Sequence, residues 1–441
     1  MRMAAAAVLA ACVGAVAGCG NTYRPVVATV GLVGPAGQAQ KFAVAVSSPS
    51  PTANGLMTMV DFSGDTVLVT ATLGVNPYYL VLSAPGTTGY TLNSDKTMTS
   101  FDINTSLISS QVLESTLLPG SNPVSLFATT ASTFISDPGV NAIDQLTSTP
   151  PALKQELPVA TGYSPLYVVG QSGATRAYAI SQSTSGGPGQ VLAIENASSL
   201  TSSPTISTTL PVGRGPVYGV MTADDRRAFI LNQTDGTVSV INVQNNALDT
   251  PVNTIAVGTR PVWADLASGL DELVVANQGN GTTTPGSVTI IDIPLCSAAA
   301  LPTNPNCDPT NPIDSVLFGQ VVATVPVGIN SIMVSVLSDQ TRAYVANAGN
   351  PKLPCAAVAV PNVSTTCTVS VVNLQSNTVT ATIPINGHPA YLATSAAAPT
   401  GKVYVVCNDS QVMTVIETDT DSVDTTVPLQ GYGVSVRMTQ P

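Results

Sequence analysis

Along most of this chain, short runs in which Val, Ile, Ala and Tyr alternate with Thr and Ser are separated by clusters of Gly, Pro, Asn and Asp. A period of two puts successive side chains on opposite faces of a strand, and the intervening residues are those that turns require. The runs recur in sets of four. One set reads PVGRGPVYGVMTADDRRAFILNQTDGTVSVINVQNNALDTPVNTIAVG from Pro211. Another reads PVGINSIMVSVLSDQTRAYVANAGN, breaks for an insertion, and resumes as CTVSVVNLQSNTVTATIPINGHP. A third reads GHPAYLATSAAAPTGKVYVVCNDSQVMTVIETDTDSVDTTVPL. The pieces of the repeat are a VG-x-x-P junction, a hairpin closed by Asp-Asp or Asp-Gln, a RAYVAN-like second strand, a TVSVIN-like third strand and a Thr/Val-rich fourth. That is the form of a four-stranded antiparallel sheet.

Repetition at roughly 40–50 residues implies an array of equivalent units. Junctions fall at Gly74, Gly120, Gly162, Gly213, Gly258, Gly328, Asn386 and Gln430, so seven full units lie between them. Two intervals are long because they hold insertions near residues 295–320 and 350–367. The N-terminal runs KFAVAVS, LMTMVDF and TVLVTATL and the C-terminal run GVSVRM are left over. Pairing three strands with one closes a ring through a split sheet, which gives eight sheets and no free edge. Eight is the preferred count, and seven, with one weak early unit not a true sheet, is the alternative.

The strings AFILN (228–232), LVVAN (273–277), AYVAN (343–347) and VYVVCN (403–408) resemble the second strand of the YVTN-type β-propeller repeat family. TVSVIN (237–242), SVTIID (287–292) and TVSVVN (368–373) resemble its third strand. The resemblance is strong from about Gly213 onward, weaker from Gly74 to Val212 and faint before that. It implies an all-β chain with a single propeller over residues 27–441, like those of bacterial exported and surface proteins and similar in appearance to lactonase-type propellers. Such a likeness specifies a fold and leaves activity open.

Arg2, an apolar run from Met3 to Ala17 and the absence of acidic residues before Asp61 describe a secretory signal, too short to span a bilayer comfortably. It ends in Val16-Ala17-Gly18-Cys19, which resembles the bacterial lipobox. The resemblance implies a signal peptide over residues 1–18, lipidation of Cys19, and a short anchored linker over 19–26. Membrane lipid is thus an expected partner through Cys19. Gly20 behind the cysteine suggests the outer membrane, so the expected location is the bacterial cell envelope, facing periplasm or exterior.

Only 9% of residues are charged, the net charge is −11, and the chain has one His. Nucleic acid is excluded, because its binding needs clustered cations. A single His argues against His-built metal sites and Ser-His-Asp catalysis, and no cofactor is expected. Low charge also follows from stacked sheets buried on both faces. Of seven Cys, Cys12 and Cys19 fall in or just after the signal. Cys296 with Cys307, and Cys355 with Cys367, bracket two local loops and read as two disulfides in an oxidising compartment, with the crossed pairing open. No CxxC-like zinc spacing or CxxCH haem motif is present, so no metal ligand is assigned. Cys407, in KVYVVCN, is expected to be a buried free thiol.

Function is sought at the mouth of the ring, where junction loops converge. Tyr79, Tyr167, Tyr218, Trp263 and Tyr391 all stand two residues after the junction Pro. With Arg214, Arg260 and His388 they form a possible mouth for stacking a sugar, peptide or planar ligand and drawing an anionic group. The structural alternative is that the rings wedge between sheets and the arginines are solvated. Glu417, Asp419, Asp421 and Asp424, and likewise Asp224, Asp225, Arg226 and Arg227, read as turn chemistry. Asp265 is the one acid found in a candidate first strand, a poor hydrolase centre alone. The expectation is a non-enzymatic, monomeric binding or interaction scaffold whose partner is an envelope protein, a glycan or a small ligand. The alternative is a lactonase-like or other hydrolase acting at the channel mouth.

Overall fold

The computed structural model describes residues 41–439 apart from 85, 148–149, 296–314 and 396–400. The expected signal peptide, Cys19, Cys296 and Cys307 lie outside the described residues. Eight antiparallel sheets form the blades of a propeller. In chain order, blades 1 to 7 have inner strands Pro77–Leu82, Ser125–Ala128, Tyr163–Gly170, Pro216–Met221, Pro261–Ala267, Ser331–Val336 and Pro389–Thr394. Blade 8 is split. Its inner strand Tyr432–Met438 pairs with Phe42–Ser48, followed outward by Asn54–Asp61 and Val67–Val75. Ala45 faces Val436 across this closure, and Phe42 N donates to Thr439 Oγ1 at 3.0 Å. The expected closure by three N-terminal strands and one C-terminal strand is therefore realised, with eight blades.

Burial changes from the axis outward, and the sequence follows it. The second strands Arg227–Asn232 and Lys402–Cys407 are buried at every position, since both faces of a blade lie against neighbours. The fourth strand Thr378–Pro384 alternates between exposed and buried, which accounts for its Thr/Val pattern. In blade 4 the outer edge is two short pieces, Ala247–Leu248 and Thr254–Ala256. One short helix, Ile103–Ser109, interrupts blade 1; Asp102 caps it by accepting from Thr105 N at 2.8 Å.

The repeated RAYVAN string is explained by two sets of contacts. Its terminal Asn is buried and ties the second strand to the third. Asn347 Nδ2 donates to Thr368 Oγ1 at 3.1 Å and Ser370 Oγ at 2.9 Å, and Asn232 does the same to Thr237 and Ser239. Asn277 reaches Ser287 Oγ at 3.2 Å and Thr289 Oγ1 at 2.9 Å. The junction Gly of the preceding blade lies over this Asn. A Cβ on Gly258 would come within 2.7 Å of the Asn277 amide, and one on Gly328 would meet Asn347 at a similar distance. At Gly74, Gly213, Gly258 and Gly328 the junction Gly and the Asn of the following blade are thus two halves of one contact. In blade 7, Cys407 takes the Asn position and is fully buried as the expected free thiol, its pKa pushed up to about 12 chiefly by burial.

The basic residue and Tyr that begin the string latch one blade to the next. Arg342 Nη1 lies 2.7 Å from Asp421 Oδ2, and the Tyr344 hydroxyl donates to Asp421 Oδ1. Lys402 and Tyr404 reach Asp65 at 2.5 and 3.0 Å. Asp65 and Asp421 both have positive φ, so a turn residue is presented sideways to its neighbour. Asp421 is therefore not simply a solvated turn residue. Arg227 departs from its expected turn role as well, being buried and paired with buried Asp249 at 3.2 Å.

Asn277→Ala should cost about 2–3 kcal/mol by removing buried donors from Ser287 and Thr289. Gly258→Ala should also destabilise, and urea unfolding of the double variant should show less than the sum, because the crowded amide is gone. Additive losses would refute the shared contact.

Candidate functional site

Four inner strands begin at the junction Pro, and in blades 1 and 3 to 7 the ladder to the second strand slips by one residue just after this position. The slip lies between Pro77 and Tyr79, Pro165 and Tyr167, Pro216 and Tyr218, Pro261 and Trp263, Ser331 and Met333, and Pro389 and Tyr391. A bulge of this kind redirects one side chain. Here it turns the five aromatics toward one another from different blades. Tyr167 and Tyr218 have centroids 4.8 Å apart, Tyr218 stacks on Trp263 at 4.1 Å, and Tyr391 meets Trp263 edge-on at 5.6 Å. These rings also pack against the hydrophobic clusters between blades.

Arg437, on the inner strand of blade 8, enters this aromatic group. Its guanidinium carbon lies 4.4 Å from the Tyr391 ring centroid and its Nε donates to Leu80 O at 3.3 Å. Among the described residues no carboxylate forms an ion pair with it. Burial opposes its charge, but Tyr391, Tyr79, Tyr167 and Tyr218 around it more than offset that, and its pKa is raised. Residues from blades 1, 3, 4 and 7 can surround one guanidinium only on the ring axis. The Tyr391 hydroxyl is buried beside Arg437, and burial raises its pKa against the lowering by that guanidinium.

Asp265 supplies the opposite charge from blade 5. Its Oδ1 accepts from Leu266 N at 2.9 Å and its Oδ2 from Val336 N at 2.8 Å. Burial nonetheless raises its pKa to about 6, against the lowering by these bonds and by the nearby Ser335 hydroxyl. Ser335 is 3.0 Å from Thr394 Oγ1. A cavity of about 420 Å³ is lined by Leu82, Ser335, Tyr391, Thr394, Arg437 and Met438, among others. Leu82, Thr394 and Met438 end their inner strands, so this cavity lies toward the face opposite the junction loops.

The expected mouth residues thus divide. Tyr79, Tyr167, Tyr218, Trp263 and Tyr391 line the axis. Arg214 is exposed and pairs with Asp235 at 2.6 Å, and Arg260 is exposed at a positive-φ junction position. His388 stays on the junction face, its Nδ1 2.6 Å from Asp409 Oδ2 and its Nε2 3.0 Å from Leu353 O. A second cavity, about 680 Å³, lies beside His388 and Asp409 under the 350–367 insertion, with Leu353 and Pro354 in its wall. The Cys355–Cys367 disulfide is present. Cys355, Cys367 and His388 place their ligand atoms within 4.8 Å of one another, a metal-capable group that the spacing of the cysteines does not disclose. No metal ligand is assigned from the sequence, whereas the fold brings these three side chains together. Arg437 was missed because its strand was read only as ring closure, although it falls in the register of Asp265, four residues past the junction Pro position.

Because folded Asp265 holds its proton more tightly than an unfolded carboxyl, its contribution to stability is greatest below about pH 4 and is lost as pH rises through about 6. Asp265→Asn removes that dependence. Thermal unfolding at pH 4.5 and 7 should show the wild type gaining on the variant in acid; a pH-independent difference would contradict the placement.

No protein-family model matches the sequence, and no curated protein matches it. Solved structures do match. NirN, a dihydro-heme d1 dehydrogenase in complex with DHE, superposes with a TM-score of 0.65 at 12% identity, covering 90% of this chain and 74% of that one. A putative 6-phosphogluconolactonase from Bacteroides fragilis gives 0.54 at 13% identity, covering 92% and 99%. AztD of Citrobacter koseri gives 0.55 at 9% identity, covering 90% and 97%. At these identities the likeness is one of fold. Two of these propellers are named for enzymatic activities, and this chain holds a metal-capable Cys/His group. The leaning against an enzyme is withdrawn on that ground: the chain is an eight-bladed propeller of a fold that also hosts catalysts.

Proposed function

We propose that this chain is an envelope-anchored propeller of the YVTN-repeat type that binds a small anionic ester or lactone in its axial cavity and hydrolyses it. Anchoring rests on the Val16-Ala17-Gly18-Cys19 motif, and the repeat assignment on the AFILN and AYVAN strings. The observation that carries the reading is Arg437, a charge held on the axis beside a 420 Å³ cavity with no carboxylate partner among the described residues. A half-buried guanidinium held among rings and a backbone carbonyl, with no carboxylate beside it among the described residues, is balanced by an anionic ligand.

The residues divide the chemistry. Arg437 holds the substrate's anionic group or carbonyl oxygen, where fixed positive charge stabilises an oxyanion. Asp265, with a pKa of about 6, is ionised at neutral pH and close enough to it to serve as a base for water. Ser335 borders both the acid and the cavity and orients that water. Leu82, Met438 and the Tyr391 ring accept an apolar body.

Trp263, the single Trp, reports on the column through its fluorescence. Titration with butyrate and phenylacetate should perturb it saturably, and Arg437→Met should weaken binding at least tenfold. Hydrolysis of p-nitrophenyl butyrate and δ-valerolactone should rise with pH through about 6 and fall at least a hundredfold in Asp265→Asn. Binding without turnover would reject the hydrolytic step; no difference between wild type and Arg437→Met would reject the site.

A further inference from the structure

We infer that Cys355, Cys367 and His388 form a redox-gated metal site, closed while the cysteines are joined and opened by reduction to take a borderline divalent cation such as Zn²⁺. The site lies on the junction face and is independent of the axial cavity. Its three ligand atoms already lie within 4.8 Å of one another. A tetrahedral zinc with sulfur at about 2.3 Å and nitrogen at about 2.0 Å separates its ligand atoms by roughly 3.5–3.8 Å. Opening the disulfide requires the sulfurs to part by about 2 Å, within reach of a side-chain rotation.

The surroundings support a ligand role for His388. Asp409 accepts from the His388 backbone N–H at 2.6 Å through Oδ1 and contacts Nδ1 at 2.6 Å through Oδ2. This fixes the ring with Nε2 directed at the insertion that carries both cysteines, where it now faces Leu353 O at 3.0 Å. A carboxylate behind the distal nitrogen is the arrangement that orients a metal-bound imidazole and raises its basicity. The 680 Å³ cavity, which His388, Asp409 and Pro354 line, gives a cation entry and leaves the fourth coordination position to water or a substrate.

The chemistry balances with a dithiol reductant. Its two electrons and two protons break the Cys355–Cys367 bond, giving two thiols, while the reductant becomes a disulfide. Binding of the cation as bis-thiolate then releases both thiol protons, and Nε2 gives up to solvent the proton it donates to Leu353 O as it takes the metal, while Nδ1–H stays on Asp409.

Co²⁺ serves as the probe, on the full chain carrying Cys296→Ser and Cys307→Ser so that those thiols do not contribute. The oxidised protein should give no thiolate-to-cobalt charge-transfer band. After phosphine reduction and desalting without oxygen, one equivalent should bind with that band and tetrahedral d–d absorption. Cys355→Ser should abolish the charge transfer. His388→Gln, which leaves the cysteines able to pair, should weaken binding at least tenfold, and Asp409→Asn about tenfold. Equal binding before and after reduction, no band after reduction, or a His388→Gln affinity equal to wild type would each overturn the proposal.

Discussion

The buried Asn that ends a second strand is the contact on which the repeat depends. Asn232, Asn277 and Asn347 each bridge to Ser or Thr on the third strand of their own blade, beneath a Gly from the blade before. A blade covered on both faces has no water to satisfy a polar group, so the amide must find protein partners or be absent. The Gly must lack a side chain for the blades to approach. Interior registration within a blade and spacing between blades are therefore set by one pair of residues, and both recur at the same interval along the chain.

With the blade faces sealed in this way, charged side chains either pair inside a blade, as Arg227 does with Asp249, or go to one of three places. They can lie on the rim, as Arg214 does, in interblade latches, as Arg342 and Lys402 do, or on the axis. The latches are closed ion pairs: Asp421 answers Arg342 and Asp65 answers Lys402. The axis is different. Arg437 is surrounded by rings, and Asp265 is held by backbone N–H groups with a raised pKa. Neither arrangement is what stability alone would select, and groups perturbed in this manner concentrate where ligands bind. The bulges after Pro77, Pro165, Pro216, Pro261 and Pro389 gather the rings of separate blades around them.

The blade number, the split closing blade, the Cys355–Cys367 pair and the buried Cys407 could all be read from the chain, because each is local or repeats with the period. The aromatic register was visible too, but not its direction, since a bulge is a property of pairing between strands. Arg437 is hidden in the sequence because the last junction has Gly433 where most others have Pro, and the strand reads as ring closure alone. His388 beside the cysteines is invisible to motif spacing: it depends on the insertion folding back over a junction that follows the blade's outer strand. Asp421 showed as one acid among four in a turn, and only the neighbouring blade distinguishes it.

In the proposed function Arg437 is kept for a ligand and not for the fold. Thermal unfolding of Arg437→Met in buffer free of small carboxylates tests this most directly, with added butyrate as the second arm. The prediction is a melting temperature equal to or above wild type without butyrate, and no stabilisation by butyrate where wild type gains. A variant markedly less stable than wild type without butyrate, yet stabilised by it to the same extent, would contradict it.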